Sequence, residues 1–253
     1  MKTVLITGCS SGFGLTTANY FLEQGWKVIA TMRNPDERIL TASEHLRVLA
    51  LDVTDPVSIQ QTIQAAGPID VLVNNAGIGL LGAVEGSPMD VARELFETNT
   101  LGSIAMTQAV LSQFRERQAG VIVNVTSTVT LVSLPLLSVY TATKAAVNAF
   151  TESLALELEP FGIRARLVLP GRAPETDFAK KAQPRMQDSI PPAYEDLAQQ
   201  VFAQWSTSTV VTHAQDVAEA VWRAAVDPTS PMRIAAGADA VELINEQSSA
   251  AYT

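Results

Sequence analysis

Residues 3–14 read TVLITGCSSGFG. Thr3 to Thr7 are apolar or β-branched throughout, which is typical of a strand buried on both faces. The strand runs directly into a loop with glycines at positions 8, 12 and 14, and a helical pattern begins at Gly14. A strand, a glycine-rich loop and a helix in this order predict one βα unit whose helix N-terminus is open to an anion.

The same alternation of strand and helix continues along the chain. Short β-branched runs follow at 28–31, 48–51, 71–74, 121–126 and 166–169. Longer helical stretches lie at about 14–24, 57–66, 88–118, 139–160 and 214–226. Because the strands are continuously apolar, the pattern predicts a doubly wound, Rossmann-like α/β fold in three layers, with a parallel sheet covered by helices on both faces.

The domain organisation follows from the absence of any linker, repeat or low-complexity block in the sequence. We therefore expect one domain over residues 1–253. One stretch, at about 172–210, breaks the rhythm with Pro174, Pro184, Pro191 and Pro192. Such an excursion is expected to be a substrate lid, or alternatively a surface insertion that only packs.

Composition excludes several classes of protein. The 253 residues include 26 acidic and 17 basic side chains, a net charge of -9, which disfavours a nucleic-acid partner. No apolar run approaches the ~18 residues of a membrane span. The single Cys9 and the lack of a leader-like start predict a cytoplasmic protein, and one Cys with two His residues predicts no metal site.

The glycine loop is expected to bind the pyrophosphate of a dinucleotide. Its glycines let the backbone approach a ligand closely, and the helix supplies free N–H groups. The loop residues predicted to bind the cofactor are Gly8, Ser10, Ser11, Gly12, Phe13 and Gly14. An ordinary strand-to-helix turn also uses glycine and is the alternative at this point.

The loop also matches Gly8-x-Ser10-x-Gly12, the nucleophile elbow of a serine hydrolase. An elbow needs an oxyanion donor from an earlier βα loop, and only seven residues precede Gly8. His45 and His213 are the two histidines available as a base. A hydrolase acting through Ser10 is therefore a minor alternative.

The end of the second strand bears on the choice of nucleotide. An acid there commonly accepts the ribose hydroxyls of NAD, whereas an arginine pairs with the 2′-phosphate of NADP. Arg33 stands at this turn and no acid does, so the sequence predicts NADP(H), with NAD(H) possible and a solvated cation as the alternative. Asp52 and Val53, after the third strand, are expected to meet the adenine, although an Asp also starts turns.

Tyr140 and Lys144 form the candidate catalytic pair. They are four residues apart in a helical stretch, so they project from one face. A nearby ammonium favours the phenolate form of a tyrosine, which allows the phenol to transfer protons. Ser127, at the end of a strand, adds a hydroxyl donor, and together these groups suit the reduction of a carbonyl.

At these positions the sequence resembles the short-chain dehydrogenase/reductase family. Residues 7–14 look like its TGxxxGxG loop, residues 74–77 like its NNAG motif, and Ser127, Tyr140 and Lys144 like its catalytic serine and YxxxK. The resemblance runs through nearly the whole chain in the expected order. It implies that Asn74, Ala76 and Gly77 shape the strand end beside the cofactor.

The resemblance implies further roles. Asn99 would complete a catalytic tetrad through a water that relays protons to Lys144, although a helix-interior Asn could instead face solvent. Pro170 and Gly171 resemble the family's PG motif beside the nicotinamide. Thr176 would contact the carboxamide, but one extra residue separates it from Gly171. A homodimer or homotetramer built on the two long helices is also implied.

These observations predict an oxidoreductase that moves a hydride between NADP(H) and a carbonyl or alcohol. The alternative from another class is a catalytically silent NADP(H)-binding sensor or scaffold. Apolar residues near the site and in the predicted lid suggest a lipophilic ketone, aldehyde or secondary alcohol, although such residues more often form core. They are Leu80, Leu81, Val129, Leu131, Leu134, Phe178, Ile190, Tyr194, Phe202 and Trp205.

Overall fold

The computed structural model describes residues 1–250, and for residues 206 and 247–250 it describes only the backbone. The last three residues of the predicted domain range, 251–253, lie outside the described part. The strands are β1 (Thr3–Thr7), β2 (Lys27–Met32), β3 (Leu46–Ala50), β4 (Val71–Asn74), β5 (Gly120–Val125), β6 (Ile163–Pro170) and β7 (Arg233–Ala236). They form one parallel sheet in the order β3-β2-β1-β4-β5-β6-β7.

Helices cover both faces of this sheet. They are α1 (Gly12–Glu23), α2 (Pro56–Ala66), α3 (Met89–Phe96), α4 (Gly102–Arg117), α5 (Ser138–Leu158), α6 (Phe178–Met186), α7 (Glu195–Thr207), α8 (Ala214–Val226) and α9 (Ala238–Ala250). In β1, Val4 and Ile6 face the core beneath α1 and α8, whereas Leu5 faces the core beneath α2, α4 and α5. The continuous apolar strand is therefore buried on both sides, and the predicted three-layer, doubly wound fold is confirmed.

Three aromatic rings fix the position of α1. Phe21 lies 5.3 Å from Trp26 and 5.1 Å from Trp222 between ring centroids, and Trp26 lies 5.5 Å from Trp222, all edge to face. Such pairs contribute about 0.5–1.5 kcal/mol each beyond burial. Because Trp222 belongs to α8, this cluster holds α1, and with it the end of the glycine loop, against a second helix.

The structure departs from the predicted elements in three places. The helix expected over 88–118 is divided by a π-helical turn, Glu97–Leu101, between α3 and α4. The irregular 172–210 stretch contains α6 and α7. Strand β7 was missed, because its four residues RIAA at the edge of the sheet carry little apolar pattern.

The strand order places a crevice at the carboxyl ends of β1 and β4. The chain runs from β1 outward through β2 to β3, and then returns to β4 and continues in the opposite direction. Loops that follow two strands at such a switch point turn apart and leave room for a ligand. The glycine loop after β1 and the loop after β4 therefore border the same opening.

Candidate active site

The glycine loop is held in a conformation that only small residues allow. Gly8 has a φ of +76°, and a β-carbon there would lie 2.8 Å from Cα of Ala76. A β-carbon on Gly14 would collide with the carbonyl oxygen of Gly8. The side chain of Ser11 does not cap α1, so the first N–H groups of that helix are open to an anion.

Asn75 was not predicted as a site residue, yet it joins the two loops. Its Nδ2 donates to the carbonyl oxygens of Thr7, at 2.9 Å, and Gly8, at 3.2 Å. In return, Thr7 Oγ1 accepts hydrogen bonds from the backbone N–H groups of Asn75 and Ala76, at 3.0 and 2.9 Å. A paired Asn directly after a strand was the available signal for this role.

Asn74 instead points into the interior. Its Nδ2 donates to Asn124 Oδ1 at 2.8 Å, to Thr107 Oγ1 at 3.2 Å and to the carbonyl oxygen of Ser103 at 3.3 Å. These bonds tie β4 to β5 and α4. The side chain of Asn74 therefore supports the end of β4 from the interior of the protein. Of the residues predicted here, Ala76 and Gly77 border the opening.

Ser127, Tyr140 and Lys144 come together, and each is less than a tenth exposed. Ser127 follows β5, and its Oγ accepts a hydrogen bond of 3.3 Å from the backbone N–H of Val129. Tyr140 and Lys144 lie on the buried side of α5. The Lys144 ammonium donates to the carbonyl oxygen of Val125 at 3.1 Å and lies 5.9 Å from the centroid of the Tyr140 ring.

Burial dominates the electrostatics of this cluster. It raises the pKa of the Tyr140 phenol, an effect that the hydrogen bond with Ser127 only partly offsets. It lowers the pKa of the Lys144 ammonium to about 8. The expected lowering of the phenol pKa by Lys144 is not found in the chain by itself, because the ammonium is directed to Val125 rather than to the phenol oxygen.

Asn99 lies on the π-helical turn and is only 1% exposed, so it is not a solvent-facing residue. Its Oδ1 accepts from the backbone N–H of Ile78 at 2.8 Å, and its Nδ2 donates to the Ile78 carbonyl at 2.9 Å and to Thr143 Oγ1 at 3.1 Å. A β-carbon on Gly77 would lie 3.2 Å from Asn99 Oδ1 and 3.5 Å from the Lys144 nitrogen. Asn99 is therefore next to the cluster.

The predicted nucleotide residues lie at the ends of β2 and β3. Arg33 is exposed, and its positive charge adds to the effects that lower the pKa of Asp52. The larger effect on Asp52 is local, because its Oδ1 accepts from the backbone and the hydroxyl of Thr54, at 2.9 and 2.7 Å. Val53 is buried against Gly102, the first residue of α4.

The end of β6 is held by Thr212, in the loop before α8, and by Asp239 of α9. The backbone N–H of Gly171, after Pro170, donates to Thr212 Oγ1 at 2.9 Å, and that of Arg172 donates to Asp239 Oδ2 at 2.7 Å. The side chain of Thr176 lies beside the glycine loop, 3.6 Å from where a β-carbon on Gly12 would be. Thr176, which was expected to contact the carboxamide, therefore lies beside the glycine loop.

Helix α6 covers the site. The Phe178 ring lies 5.7 Å from the Tyr140 ring, and a β-carbon on Gly79 would come within 2.7 Å of it. Below α6, Leu80, Leu95 and Tyr140 form an apolar cluster with the side chains of Val129 and Leu137. A second apolar cluster joins the loop that follows β4 to α7 and includes Leu81, Leu136, Ala198, Val201 and Trp205.

Comparison with known proteins decides the family. The family model described as short chain dehydrogenase matches residues 2–187 of this chain. The chain belongs to the short-chain dehydrogenase family. The arrangement of Ser127, Tyr140 and Lys144 beside the glycine loop is thus the candidate active site of a short-chain dehydrogenase.

Three relatives each match 67% of this chain. The uncharacterized oxidoreductase YusZ of Bacillus subtilis is 43% identical over 181 residues. A 3-ketodihydrosphingosine reductase of Bacteroides thetaiotaomicron is 40% identical over 174 residues, and retinol dehydrogenase 8 of Bos taurus is 40% identical over 182 residues. The chain spans 64%, 63% and 58% of the lengths of these relatives, respectively.

Solved structures share the fold. A short-chain dehydrogenase from Streptomyces avermitilis has a TM-score of 0.82 at 32% identity, covering 99% of this chain and 93% of its own. A serine dehydrogenase complexed with NADP⁺ has a TM-score of 0.78 at 27% identity, covering 92% and 93%. A short-chain dehydrogenase/reductase from Burkholderia phymatum in complex with NAD has a TM-score of 0.77 at 25% identity, covering 92% and 88%.

The hydrolase alternative is not favoured in this short-chain dehydrogenase. His213 Nδ1 lies 3.1 Å from Glu175 Oε2, which raises the pKa of His213. Within residues 1–250, no hydrogen bond joins Ser10 to either histidine. The described part of the chain also holds no cluster of metal-ligating side chains and no helix of sufficient length and apolarity to cross a membrane.

Proposed function

We propose that this short-chain dehydrogenase transfers a hydride between NADP(H) and a lipophilic ketone, aldehyde or secondary alcohol. The observation that carries the proposal is the buried phenol of Tyr140, which is hydrogen-bonded to Ser127 and has the Lys144 ammonium beside its ring. This arrangement places a proton donor where little water has access. A sensor that only binds the cofactor would not need a buried proton donor, so the alternative does not explain this arrangement.

The opening fits a dinucleotide. A β-carbon on Gly8 or Gly14 would meet backbone atoms, so the loop is built for close approach, and it lies at the switch point of the sheet. Bound there, the nicotinamide would supply or accept the hydride. Arg33 favours NADP(H), and the solved relatives with NADP⁺ and with NAD leave NAD(H) as the alternative cofactor.

Tyr140 would act as the acid when a carbonyl is reduced. Because burial raises its pKa, the phenol keeps its proton near neutral pH and donates it from Oη to the substrate oxygen. Ser127 would donate its single hydroxyl hydrogen bond to that oxygen. The Lys144 ammonium would stabilise the Tyr140 phenolate by its charge. In the direction of oxidation these steps reverse.

The proposed substrate class rests on the walls of the site. Phe178, Leu80 and Val129 surround Tyr140 with apolar surface. Two of the named relatives, a 3-ketodihydrosphingosine reductase and a retinol dehydrogenase, carry the names of lipid substrates. We propose that residues 172–210 form the substrate lid of a single domain, and that the enzyme is a cytoplasmic homodimer or homotetramer assembled through α4 and α5.

A substrate panel tests the function. Long-chain ketones, aldehydes and small oxo acids would be supplied with NADPH and, in parallel, NADH, and loss of reduced nicotinamide would be followed by absorbance. We expect consumption with a lipophilic carbonyl and NADPH. Nucleotide binding without consumption across the panel would favour the sensor.

The variant Tyr140→Phe tests proton transfer by Tyr140 separately from cofactor binding. Loss of the acid should lower kcat by about 10²–10⁴-fold while cofactor affinity stays within about twofold. Tyr20→Phe is the matched control, because Tyr20 is a partly buried tyrosine whose ring packs on Trp222. Turnover retained in Tyr140→Phe would refute the assigned role.

A further inference from the structure

Lys181 makes an unusual contact for an exposed lysine. It lies in the middle of α6, and its ammonium donates to Ser11 Oγ at 2.5 Å across 170 residues of sequence. Ser11 belongs to the glycine loop and directly precedes α1. Within residues 1–250 no ion pair neutralises the Lys181 ammonium.

The position of Lys181 is set by contacts on either side of it. One turn before it, Phe178 packs against Gly79 and Tyr140. One turn after it, Arg185 forms two hydrogen bonds to the Glu94 carboxylate, at 3.0 and 2.6 Å. These contacts hold α6 on both sides of Lys181, and the hydrogen bond to Ser11 directs the Lys181 side chain at the glycine loop.

A second cation lies on the same rim of the opening. The N–H of Cys9 donates to the carbonyl of Thr31 at 2.9 Å, which holds the start of the glycine loop against β2 just before Arg33. Arg33 also adds to the effects that lower the pKa of Glu94, the partner of α6. Arg33 therefore follows a strand that is bonded to the glycine loop, and its charge acts on Glu94, which pairs with Arg185 of α6.

The glycine loop itself carries no basic residue between Thr7 and Gly14. A phosphate at this rim would need its charge neutralised from elsewhere. A hydroxyl oxygen and a phosphate oxygen both accept a hydrogen bond from an ammonium, and the phosphate does so far more strongly because it is charged. The Lys181–Ser11 contact thus places the ammonium at the glycine loop, where it could donate to a phosphate oxygen instead.

We propose that Lys181 reaches from α6 to bind the 2′-phosphate of NADP(H) together with Arg33. The inference rests on the proposed function, which places NADP(H) in this opening. Helix α6 would then both bind the 2′-phosphate through Lys181 and cover Tyr140 through Phe178. In this chain the lid, rather than the glycine loop, would supply the second cation.

The test measures binding of cofactor fragments by calorimetry. The two probes are 2′,5′-ADP, which has the 2′-phosphate, and 5′-ADP, which has the pyrophosphate alone. Lys181→Ala should bind 2′,5′-ADP about tenfold more weakly and 5′-ADP within twofold of wild type, because one charge-assisted hydrogen bond is lost. Lys181→Arg should recover most of the affinity, and the salt dependence should be shallower in Lys181→Ala.

Lys180→Ala is the matched control, since it removes the same charge from the adjacent exposed position of α6. Its binding of both probes should match wild type. Equal weakening of both probes by Lys181→Ala would overturn the assignment to the 2′-phosphate. If only Arg33→Ala weakens 2′,5′-ADP, the role of Lys181 is refuted and the NADP(H) preference stands. If wild type does not prefer 2′,5′-ADP, the proposed cofactor is refuted as well.

Discussion

Burial of the Lys144 ammonium predicts a measurable pH dependence of folding stability. Lys144 is 6% exposed, and burial lowers its pKa to about 8 from its ordinary value of 10.5. Between these two values the unfolded chain holds a proton that the folded chain has released. Stability must therefore rise with pH across this window, and the buried charge is least favourable below pH 8.

The size of the effect follows from the two pKa values. Between pH 7 and pH 9.5, Lys144 should add about 2 kcal/mol to the free energy of unfolding. Cys9 acts in the opposite direction, because burial raises the pKa of its thiol to about 12 and only the unfolded thiol ionises above pH 9. A comparison between variants that share Cys9 removes this contribution.

The assay is urea unfolding of wild type and Lys144→Met at pH 7 and at pH 9.5. The variant lacks the buried charge, so its stability relative to wild type should fall by about 2 kcal/mol as pH rises over this interval. Lys180→Met, which changes an exposed lysine, should follow wild type at both pH values. If the difference between wild type and Lys144→Met does not change with pH, burial does not shift the pKa of Lys144 as described.

Three further predictions concern the surroundings of the cluster. Asn99→Ala should lower the free energy of unfolding, measured by urea unfolding, by about 2–4 kcal/mol, because it leaves both backbone polar groups of Ile78 without partners. A loss below about 0.5 kcal/mol would contradict this. Gly14→Ala should weaken dinucleotide binding by at least about tenfold in calorimetry, since its methyl group would displace the carbonyl of Gly8. If the variant binds as tightly as wild type, the glycine loop is not the dinucleotide site. Phe178→Ala should raise KM for a lipophilic substrate more than Kd for NADPH in kinetic and binding assays, because the ring covers Tyr140; equal changes would exclude a substrate wall.

The contrast between Asn74 and Asn75 shows which features of the site can be predicted from the sequence. Asn74 is the last residue of β4 and Asn75 is the next residue, but only Asn74 was predicted as a site residue. Their side chains point in opposite directions, because successive residues of an extended chain face opposite sides of the sheet. Asn74 is directed to Asn124 and α4, whereas Asn75 bonds the glycine loop. The resemblance marked the pair, and only the packing assigned their roles.

Local pattern alone determined the doubly wound sheet, the glycine loop after β1 and the shared helix face of Tyr140 and Lys144. Each of these depends on spacing within a few residues of the chain, which a strand or a helix converts directly into geometry. The tertiary structure decided the rest: the π-helical turn that carries Asn99 inward, the burial that shifts the pKa values of Tyr140 and Lys144, and the contact from Lys181 to Ser11. These features depend on groups distant in sequence, and their burial and partners exist only once the layers have packed.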